Sequence, residues 1–221
     1  RLYTRVPGGA QAFISYNGTM FEYLMPLLFQ PAVPGTLLDG VYHAVVKAQK
    51  RCRRGGVFGV SESGYYAFDP NLYYLYKAFG LPRLSLDPDQ RCDVITPYAT
   101  FLALPVDLKG AFQNLLRLMS LGMEGPLGMF EAADFSPTRT EGQPMRIVRS
   151  HMAHHQGMIL LAVCNVLEDG YIAELFSSLP AGRKVLSGPW ADSPSAPAHG
   201  ARGDSLCCRG PAGSAAHALS H

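Results

Sequence analysis

The sequence has no long basic run and no long apolar run, and each absence excludes a class of protein. The net charge of the 221 residues is +2, whereas binding to phosphate backbones needs a concentrated Lys/Arg surface, so we do not expect a nucleic-acid partner. No apolar stretch reaches the roughly 18 residues of a membrane-spanning helix, and the N-terminus lacks the order of a signal peptide. We therefore expect a cytoplasmic chain, with any association with a membrane made through segments that this sequence does not contain.

The cysteines have no regular spacing. They form an odd set without a CxxC pair: Cys52, Cys92, Cys164, Cys207 and Cys208. Such a set indicates neither a disulfide framework nor a zinc site, and it fits a reducing compartment. No motif predicts a cofactor. The basic residues from Lys47 to Arg54 are interpreted as the solvated end of a helix, where positive charge complements the helix dipole.

Helical periodicity dominates the chain. Apolar residues recur at helical spacing after two capping residues, Thr36 and Asp107. A longer helix is predicted from Met145 to Leu167, with apolar residues on nearly all sides. Shorter helical pieces are predicted at Thr19 to Phe29 and Tyr171 to Leu179.

Loops rich in glycine, proline and aromatic residues separate these helices, at residues 55 to 68, 80 to 98 and 122 to 144. Because no convincing series of strands is present, the predicted fold is all-α, with helical hairpins that carry functional loops at their ends. After about Pro189 the composition changes to Ala, Gly, Ser and Pro, which predicts a disordered tail over 190–221. That tail and the start at Arg1 suggest a fragment.

One carboxylate, Glu62, lies in a run of small and hydroxylated residues from Gly55 to Ser63, with Tyr65 and Tyr66 just behind it. Small residues let the backbone approach a ligand closely, and aromatic faces suit sugar rings. The run therefore indicates glycosidic chemistry with Glu62 as its principal residue. The competing interpretation is a loop glutamate exposed to water.

Glu131 is a second candidate, near Asp134 and Arg139 in another loop. Glycosidic chemistry usually needs two carboxyl groups, whose separation in space decides between retention and inversion. Glu131 is interpreted as a second catalytic group, as a ligand for sugar hydroxyls, or as the partner of Arg139 in a salt bridge.

A histidine cluster follows on the long predicted helix. His151, His154 and His155 occupy positions i, i+3 and i+4, a spacing that can bring two imidazoles to one metal ion. No HExxH pattern accompanies them. With Gln156 they serve equally well as hydrogen-bonding groups for sugar hydroxyls, so we expect sugar binding and no metal site.

The remaining tyrosines divide into two groups. Tyr98, with Tyr65 and Tyr66, is expected to line the cleft. Tyr73, Tyr74 and Tyr76 are interpreted as packing residues because aromatics are dense there. A serine hydrolase with Ser61 as nucleophile is a weak alternative, because Ser61 is not in a GxSxG turn.

Six ordered segments together resemble the glucoamylase-like region of cyclic β-1,2-glucan synthases. They are SYNGTMFEYLMP at 15–26, GVSES at 59–63, YKAFG at 76–80, PYAT at 97–100, FEAADF at 130–135 and MAHHQGM at 152–158. The resemblance covers about residues 1 to 180, interpreted as a partial glucoamylase-like α/α domain. Substrate-binding candidates that it contributes or supports are Glu22, Tyr65, Tyr66, Tyr98, Asp134, Arg139, His154, His155 and Gln156.

The resemblance implies an incomplete α/α toroid that binds linear β-1,2-glucan and cyclises it by transglycosylation. Glu62 resembles the general acid/base of that family, and the partner carboxylate lies upstream of this chain in the remainder of a larger synthase polypeptide. The isolated chain is therefore expected to be inactive. Phe58 stands where the family commonly has tryptophan. A β-1,2-glucan hydrolase and a non-catalytic glucan-binding remnant are the alternatives.

Overall fold

The computed structural model describes residues 3–186 except 7–9 and 88. The predicted disordered tail at 190–221 lies outside the described residues. Helices make up the larger part of the described regular structure: α1 Met20–Leu24, α2 Leu37–Arg51, α3 Pro97–Leu102, α4 Leu108–Ser120, α5 Pro137–Thr140, α6 Ala153–Leu167, α7 Tyr171–Ser178 and α8 Pro180–Leu186, with 3₁₀ turns at Met25–Leu28 and Pro82–Leu84.

Short antiparallel strands connect the helices. The strands are β1 Tyr3–Arg5, β2 Gln11–Phe13, β3 Glu62–Phe68, β4 Tyr74–Ala78, β5 Val94–Ile95, β6 Glu124–Gly125, β7 Gly128–Met129, β8 Ala132–Asp134 and β9 Arg146–Val148. Hairpins form from β1 with β2, β3 with β4 and β6 with β7, while β5, β8 and β9 form a three-stranded sheet with β8 in the middle.

The prediction of an all-α fold, an incomplete α/α toroid of helical hairpins with functional loops, is wrong. Strands β3 and β5 to β8 lie inside the segments interpreted as loops, and most of the strands are only two or three residues long. Such strands are too short for an alternating pattern to emerge, and β5 pairs with β8, which is distant in sequence. The β3–β4 hairpin did leave a signal, because aromatic residues flank the turn that begins at Asp69. The Asp69 side chain accepts hydrogen bonds from the backbone N–H groups of Asn71 and Tyr73.

The helix predictions from local signals fare better. Thr36 caps α2 by accepting a hydrogen bond from the Asp39 N–H, and Asp107 caps α4 through the N–H of Gly110. The helix predicted from Met145 begins only at Ala153, because Arg146–Val148 pair with β8 as strand β9. Pairing with a neighbouring strand outweighs helical periodicity here.

The core lies between the helices and the sheets. Helix α3 is buried almost along its whole length and contacts α1, α4 and α6. Cys52 and Cys92 lie side by side in this interior, with Sγ atoms 3.4 Å apart, although 40 positions separate them in sequence. None of the helices in the described ranges has the length and apolar character that crossing a membrane requires.

Candidate functional site

Two buried amide side chains hold the segment that leads to Glu62. Gln49 of α2 donates to the carbonyl oxygen of Val60 at 2.9 Å and accepts from the Val60 N–H at 2.9 Å. Asn114 of α4 pairs with the N–H and carbonyl of Phe58 in the same way, at 3.0 and 2.8 Å. Both amides are fully buried. These contacts satisfy the backbone of a segment outside any strand and fix its position relative to two helices.

Gly59, between these clamped residues, has the backbone geometry that only glycine adopts easily. Its φ is +128°, and a side chain there would lie 2.9 Å from the carbonyl oxygen of Thr96. Ser61 follows, fully buried, with Oγ accepting from the Phe21 N–H and lying 2.8 Å from Tyr98 Oη. Ser61 therefore holds the backbone, and its burial leaves the serine hydrolase alternative without support.

Glu62 is the first residue of β3 and is partly buried. Its Oε2 lies 3.5 Å from the hydroxyl of Tyr76. Burial raises the pKa of Glu62, and the negative charge of Glu22 raises it further, against the opposing effects of the Tyr76 hydroxyl and His155. Glu62 consequently keeps its proton to higher pH than an ordinary glutamate, as a proton donor must.

Tyr76 belongs to this site, although the sequence interpretation treated it as a packing residue. It lies opposite Gly64 in the β3–β4 register, and 43% of its surface is exposed. Its hydroxyl lies 3.5 Å from His155 Nε2 as well as from Glu62. Burial of the hydroxyl end, with the charge of Glu62 next, raises the Tyr76 pKa, so the phenol stays protonated. Only the hairpin register, which was not predicted, would have revealed this position.

A buried pair, Glu131 and His155, lies behind Tyr76. The two side chains are 1 to 2% exposed. His155 Nδ1 is 2.9 Å from both carboxylate oxygens of Glu131, and one of those oxygens also accepts from the Gly64 N–H at 3.0 Å. The Tyr98 ring stacks on the imidazole with centroids 3.8 Å apart. The carboxylate thereby orients the imidazole so that Nε2 faces Tyr76.

Other predicted site residues have their polar atoms engaged with the protein. Glu22 accepts hydrogen bonds from Ser15 Oγ and the N–H groups of Asn17 and Thr19. Its bond with Thr19 is part of the capping box of α1, in which Thr19 is the N-cap residue. Asp134 is fully buried in an ion pair with Arg139, with N–O distances of 2.6 and 3.0 Å. Arg139 therefore pairs with Asp134, and the interpretation of a salt bridge between Glu131 and Arg139 is not what the structure contains.

The aromatic and histidine candidates divide between the site and its surroundings. Tyr65 packs edge-on against Phe79, away from Glu62. His154 is exposed beside His155, with ring centroids 4.1 Å apart, and its pKa is lowered by partial burial and by His155. Gln156 donates to the carbonyl oxygen of Met129, and His151 Nδ1 lies 3.1 Å from the same oxygen.

The site thus brings together Glu62, Tyr76, Tyr98, Glu131, His154 and His155. Within the described ranges, no group of three or more His, Cys, Asp or Glu side chains could hold a metal ion. The arrangement presents one protonatable carboxyl at the surface, backed by a chain of polar groups running inward through Tyr76 and His155 to Glu131. Such a carboxyl can deliver a proton to a bound ligand and take it back.

Comparison with known proteins identifies the family. Residues 47–180 match the sequence model of a family described as "Putative glucoamylase". The chain is 42% identical over 180 residues to the cyclic beta-(1,2)-glucan synthase NdvB of Rhizobium meliloti, an alignment that covers 79% of this chain and 6% of that protein. The chain thus spans only a small part of the length of this relative.

Solved structures share the fold at low sequence identity. A protein described as a "putative glucoamylase" from Bacteroides uniformis superposes with a TM-score of 0.62 at 19% identity, covering 84% of this chain and 46% of that one. An endo-beta-1,2-glucanase from Chitinophaga pinensis superposes with a TM-score of 0.59 at 18% identity, covering 86% and 47%. The resemblance inferred from the six sequence segments is confirmed, and the chain belongs to this glucoamylase-like family.

Proposed function

We propose that the chain carries the proton-donating side of a site that acts on β-1,2-glucan, with Glu62 as the general acid. The observation that supports this most directly is the Glu62 carboxyl itself, which is partly buried, has a raised pKa and lies beside the exposed Tyr76. The similarity to a cyclic beta-(1,2)-glucan synthase supports the choice of glucan.

In the proposed reaction Glu62 gives its proton to the glycosidic oxygen as the bond from that oxygen to the anomeric carbon breaks. The anomeric carbon ends up bonded to the oxygen of an acceptor hydroxyl, and the proton of that hydroxyl returns to a carboxylate. If the acceptor is a sugar hydroxyl of the same glucan molecule, the product is a cyclic glucan. If water is the acceptor, the enzyme is a β-1,2-glucan hydrolase, and a glucan-binding remnant without turnover is the third possibility.

Glu131 is proposed as a positioning residue and not as the second catalytic carboxyl. It is 2% exposed, and both of its oxygens are held by His155 and Gly64. A group in that environment reaches no sugar without breaking these contacts. The second carboxyl is then expected from the remainder of a larger synthase polypeptide, and His154 with Tyr76 is proposed to donate hydrogen bonds to sugar hydroxyls.

The test measures conversion of linear β-1,2-glucan by this chain or, if it converts none, by a longer polypeptide that contains it. Glu62→Gln should lower turnover by about 10²- to 10⁴-fold while glucan affinity is retained, because general acid catalysis contributes that range. Glu124→Gln, on an exposed strand, is the matched control and should change neither quantity. Turnover of Glu62→Gln close to the control would refute the assignment.

The same assay separates the two possible roles of Glu131. As a positioning residue, Glu131→Gln keeps one hydrogen bond to His155 and should retain much of the turnover, with an altered pH profile. If Glu131→Gln instead lost as much turnover as Glu62→Gln, Glu131 would be the second catalytic group. Analysis of cyclic and linear products distinguishes transglycosylation from hydrolysis, and a chelator should have no effect.

A further inference from the structure

A depression lies between the β3–β4 hairpin and the segment around β9. Its volume is about 310 Å³, and its lining combines aromatic faces with flexible hydrogen-bond donors. The lining residues are Tyr66, Tyr74, Gln143, Met145, Arg146, Ile147 and Arg149. We call this depression the tyrosine–arginine groove. The contacts described above assign no role to it.

Aromatic rings form one wall of the groove. The rings of Tyr66, Phe68 and Tyr74 pack together with centroid separations between 4.8 and 6.0 Å. Phe68 is 45% exposed, and Tyr66 and Tyr74 are partly exposed, so the cluster is open at the surface. Exposed aromatic faces in a concave, partly polar surface are typical of ligand recognition.

Two arginines supply the polar wall. Arg146 lies over the Tyr66 ring at 5.3 Å, and its Nη2 pairs with Glu141 at 2.9 Å. Its Nε is buried, and no hydrogen-bond acceptor among the described residues reaches it. Arg149 is exposed and lies over the Phe130 ring at 5.1 Å. Because the Arg146 Nε is buried, the donors that this wall offers to a ligand are those of the exposed Arg149 guanidinium.

The charge of the groove favours a neutral ligand over an anionic one. Glu141 already neutralises Arg146, which leaves Arg149 as the principal free charge of the lining. Together with the Gln143 amide, these groups offer dispersed donors and flat apolar faces. That combination suits a polyhydroxylated ring better than a phosphate, which needs concentrated positive charge.

The groove and the Glu62 site are reached from neighbouring positions on one face of β4. Tyr74 and Tyr76 are alternate residues of β4, so their side chains emerge on the same face, roughly 7 Å apart along the strand. Tyr76 contacts Glu62, whereas Tyr74 lines the groove. A sugar chain that reacts at Glu62 can therefore continue along this face of the hairpin to the groove.

We infer that the tyrosine–arginine groove is a distal subsite for sugar units of β-1,2-glucan away from the bond that reacts at Glu62. The inference rests on the proposed function. Its consequence is a preference for long glucan chains, because a short oligosaccharide bound at Glu62 does not reach the groove. Tyr74 supplies a stacking face, and Arg149 and Gln143 donate to hydroxyl groups.

The test is calorimetric titration of the chain with two probes, a β-1,2-linked glucose disaccharide and a long linear β-1,2-glucan. Tyr74→Ala and Arg149→Ala should each weaken binding of the long glucan by about tenfold, the loss expected of a well-packed contact residue. Binding of the disaccharide should not change. Tyr74→Phe keeps the ring and should bind the long glucan normally. Tyr73→Ala is the control, because Tyr73 is exposed on the same hairpin outside the groove.

Three outcomes decide the inference. Normal binding of the long glucan by both Tyr74→Ala and Arg149→Ala overturns the subsite and leaves the proposed function standing. The inference is also overturned if these variants bind the disaccharide and the long glucan equally weakly, because the groove would then not be specific for distant sugar units. Absence of any glucan binding by the unmodified chain contradicts the proposed function, and the subsite with it. Arg149 is exposed, so Arg149→Ala remains informative even if Tyr74→Ala does not fold.

Discussion

Glu62 is a partly buried carboxyl whose pKa depends on a second carboxylate. Glu22 lies in the first turn of α1 and is held in place by Ser15, Asn17 and Thr19, so its negative charge stays close to Glu62. Like charges disfavour ionisation of each other. Glu22 therefore influences the protonation of Glu62 through its charge.

This contribution can be measured directly. Burial raises the pKa of Glu62 and Glu22 adds to the shift, so Glu22→Gln should lower the Glu62 pKa toward its ordinary value without fully restoring it. Carboxyl carbon chemical shifts, followed by NMR over pH and assigned with Glu62→Gln, provide the measurement. The exposed Glu168→Gln should leave the Glu62 titration unchanged. The electrostatic argument would be contradicted if the unmodified chain, Glu22→Gln and Glu168→Gln all had the same Glu62 pKa.

The sign of the effect on stability follows from the same shift. The folded protein binds the Glu62 proton more tightly than the unfolded chain does, so folding is favoured below the pKa of an unfolded glutamate. This stabilisation is lost as the pH rises through the raised folded pKa. The free energy of unfolding of Glu62→Gln, relative to that of the unmodified chain, should therefore be higher at neutral pH than at acidic pH.

The sequence predicts Glu62 as a candidate residue but contains no signal for some of the residues that surround it. Glu62 was predicted because its small and hydroxylated neighbours are adjacent in the sequence. Tyr76 was missed because its role depends on the register of a hairpin, and the pairing of Glu131 with His155 spans 24 positions. Local composition contains no information on which of several polar side chains meet across such separations.

At the scale of the element, the segment before Glu62 depends on the helices on either side of it. It has no strand partner, and Gln49 and Asn114 replace the hydrogen bonds that a strand would provide. Helix capping and periodicity predicted α2 and α4, but neither signal indicates that one buried amide from each helix supports the site. In the sequence, Gln49 and Asn114 look like any other polar residues of an amphipathic helix. Only the folded structure shows that they are buried.

Asn114→Ala should destabilise the protein by about 2 to 3 kcal/mol, because it leaves the buried N–H of Phe58 without an acceptor and removes two further hydrogen bonds. The matched control is Gln113→Ala, since Gln113 is the preceding residue of α4 and is exposed. Its effect should stay within about 0.5 kcal/mol. Urea unfolding followed by circular dichroism measures both values. Equal stability of the two variants would show that the clamp contributes little.

At the scale of the whole molecule, α4 presents an apolar stripe to the surface. Leu108, Phe112, Leu116 and Met119 follow helical spacing and are 42 to 56% exposed, whereas the opposite face of the helix is buried. Contiguous exposed apolar surface on a helix differs from scattered exposed residues, which are common and carry no meaning. We expect hydrophobic dyes to bind the isolated chain mainly at this stripe.

Replacing two residues of the stripe, Phe112→Lys and Leu116→Lys together, should reduce the fluorescence of a bound hydrophobic dye clearly, with little change in the thermal unfolding temperature. Exposed side chains contribute little to the core, which is why stability should be retained. Leu127→Lys is the control, because Leu127 is 77% exposed in the turn between β6 and β7 and belongs to no stripe. Dye binding that is lowered equally by the control would show that the stripe is not a distinct surface.

The wide spacing of the site residues along the chain has a consequence for synthesis. Glu62 and Tyr76 are translated well before Glu131 and His155, which complete the buried pair behind them. A nascent chain that ends before α6 contains Glu62, the proposed proton donor, and Glu131, but lacks the His155 imidazole that lies between Glu131 and Tyr76. Contacts between such distant residues form late, after the loop-closure entropy has been overcome. The buried pair behind Tyr76 therefore forms only after α6 has been synthesised, and the surroundings of Glu62 are completed late in folding.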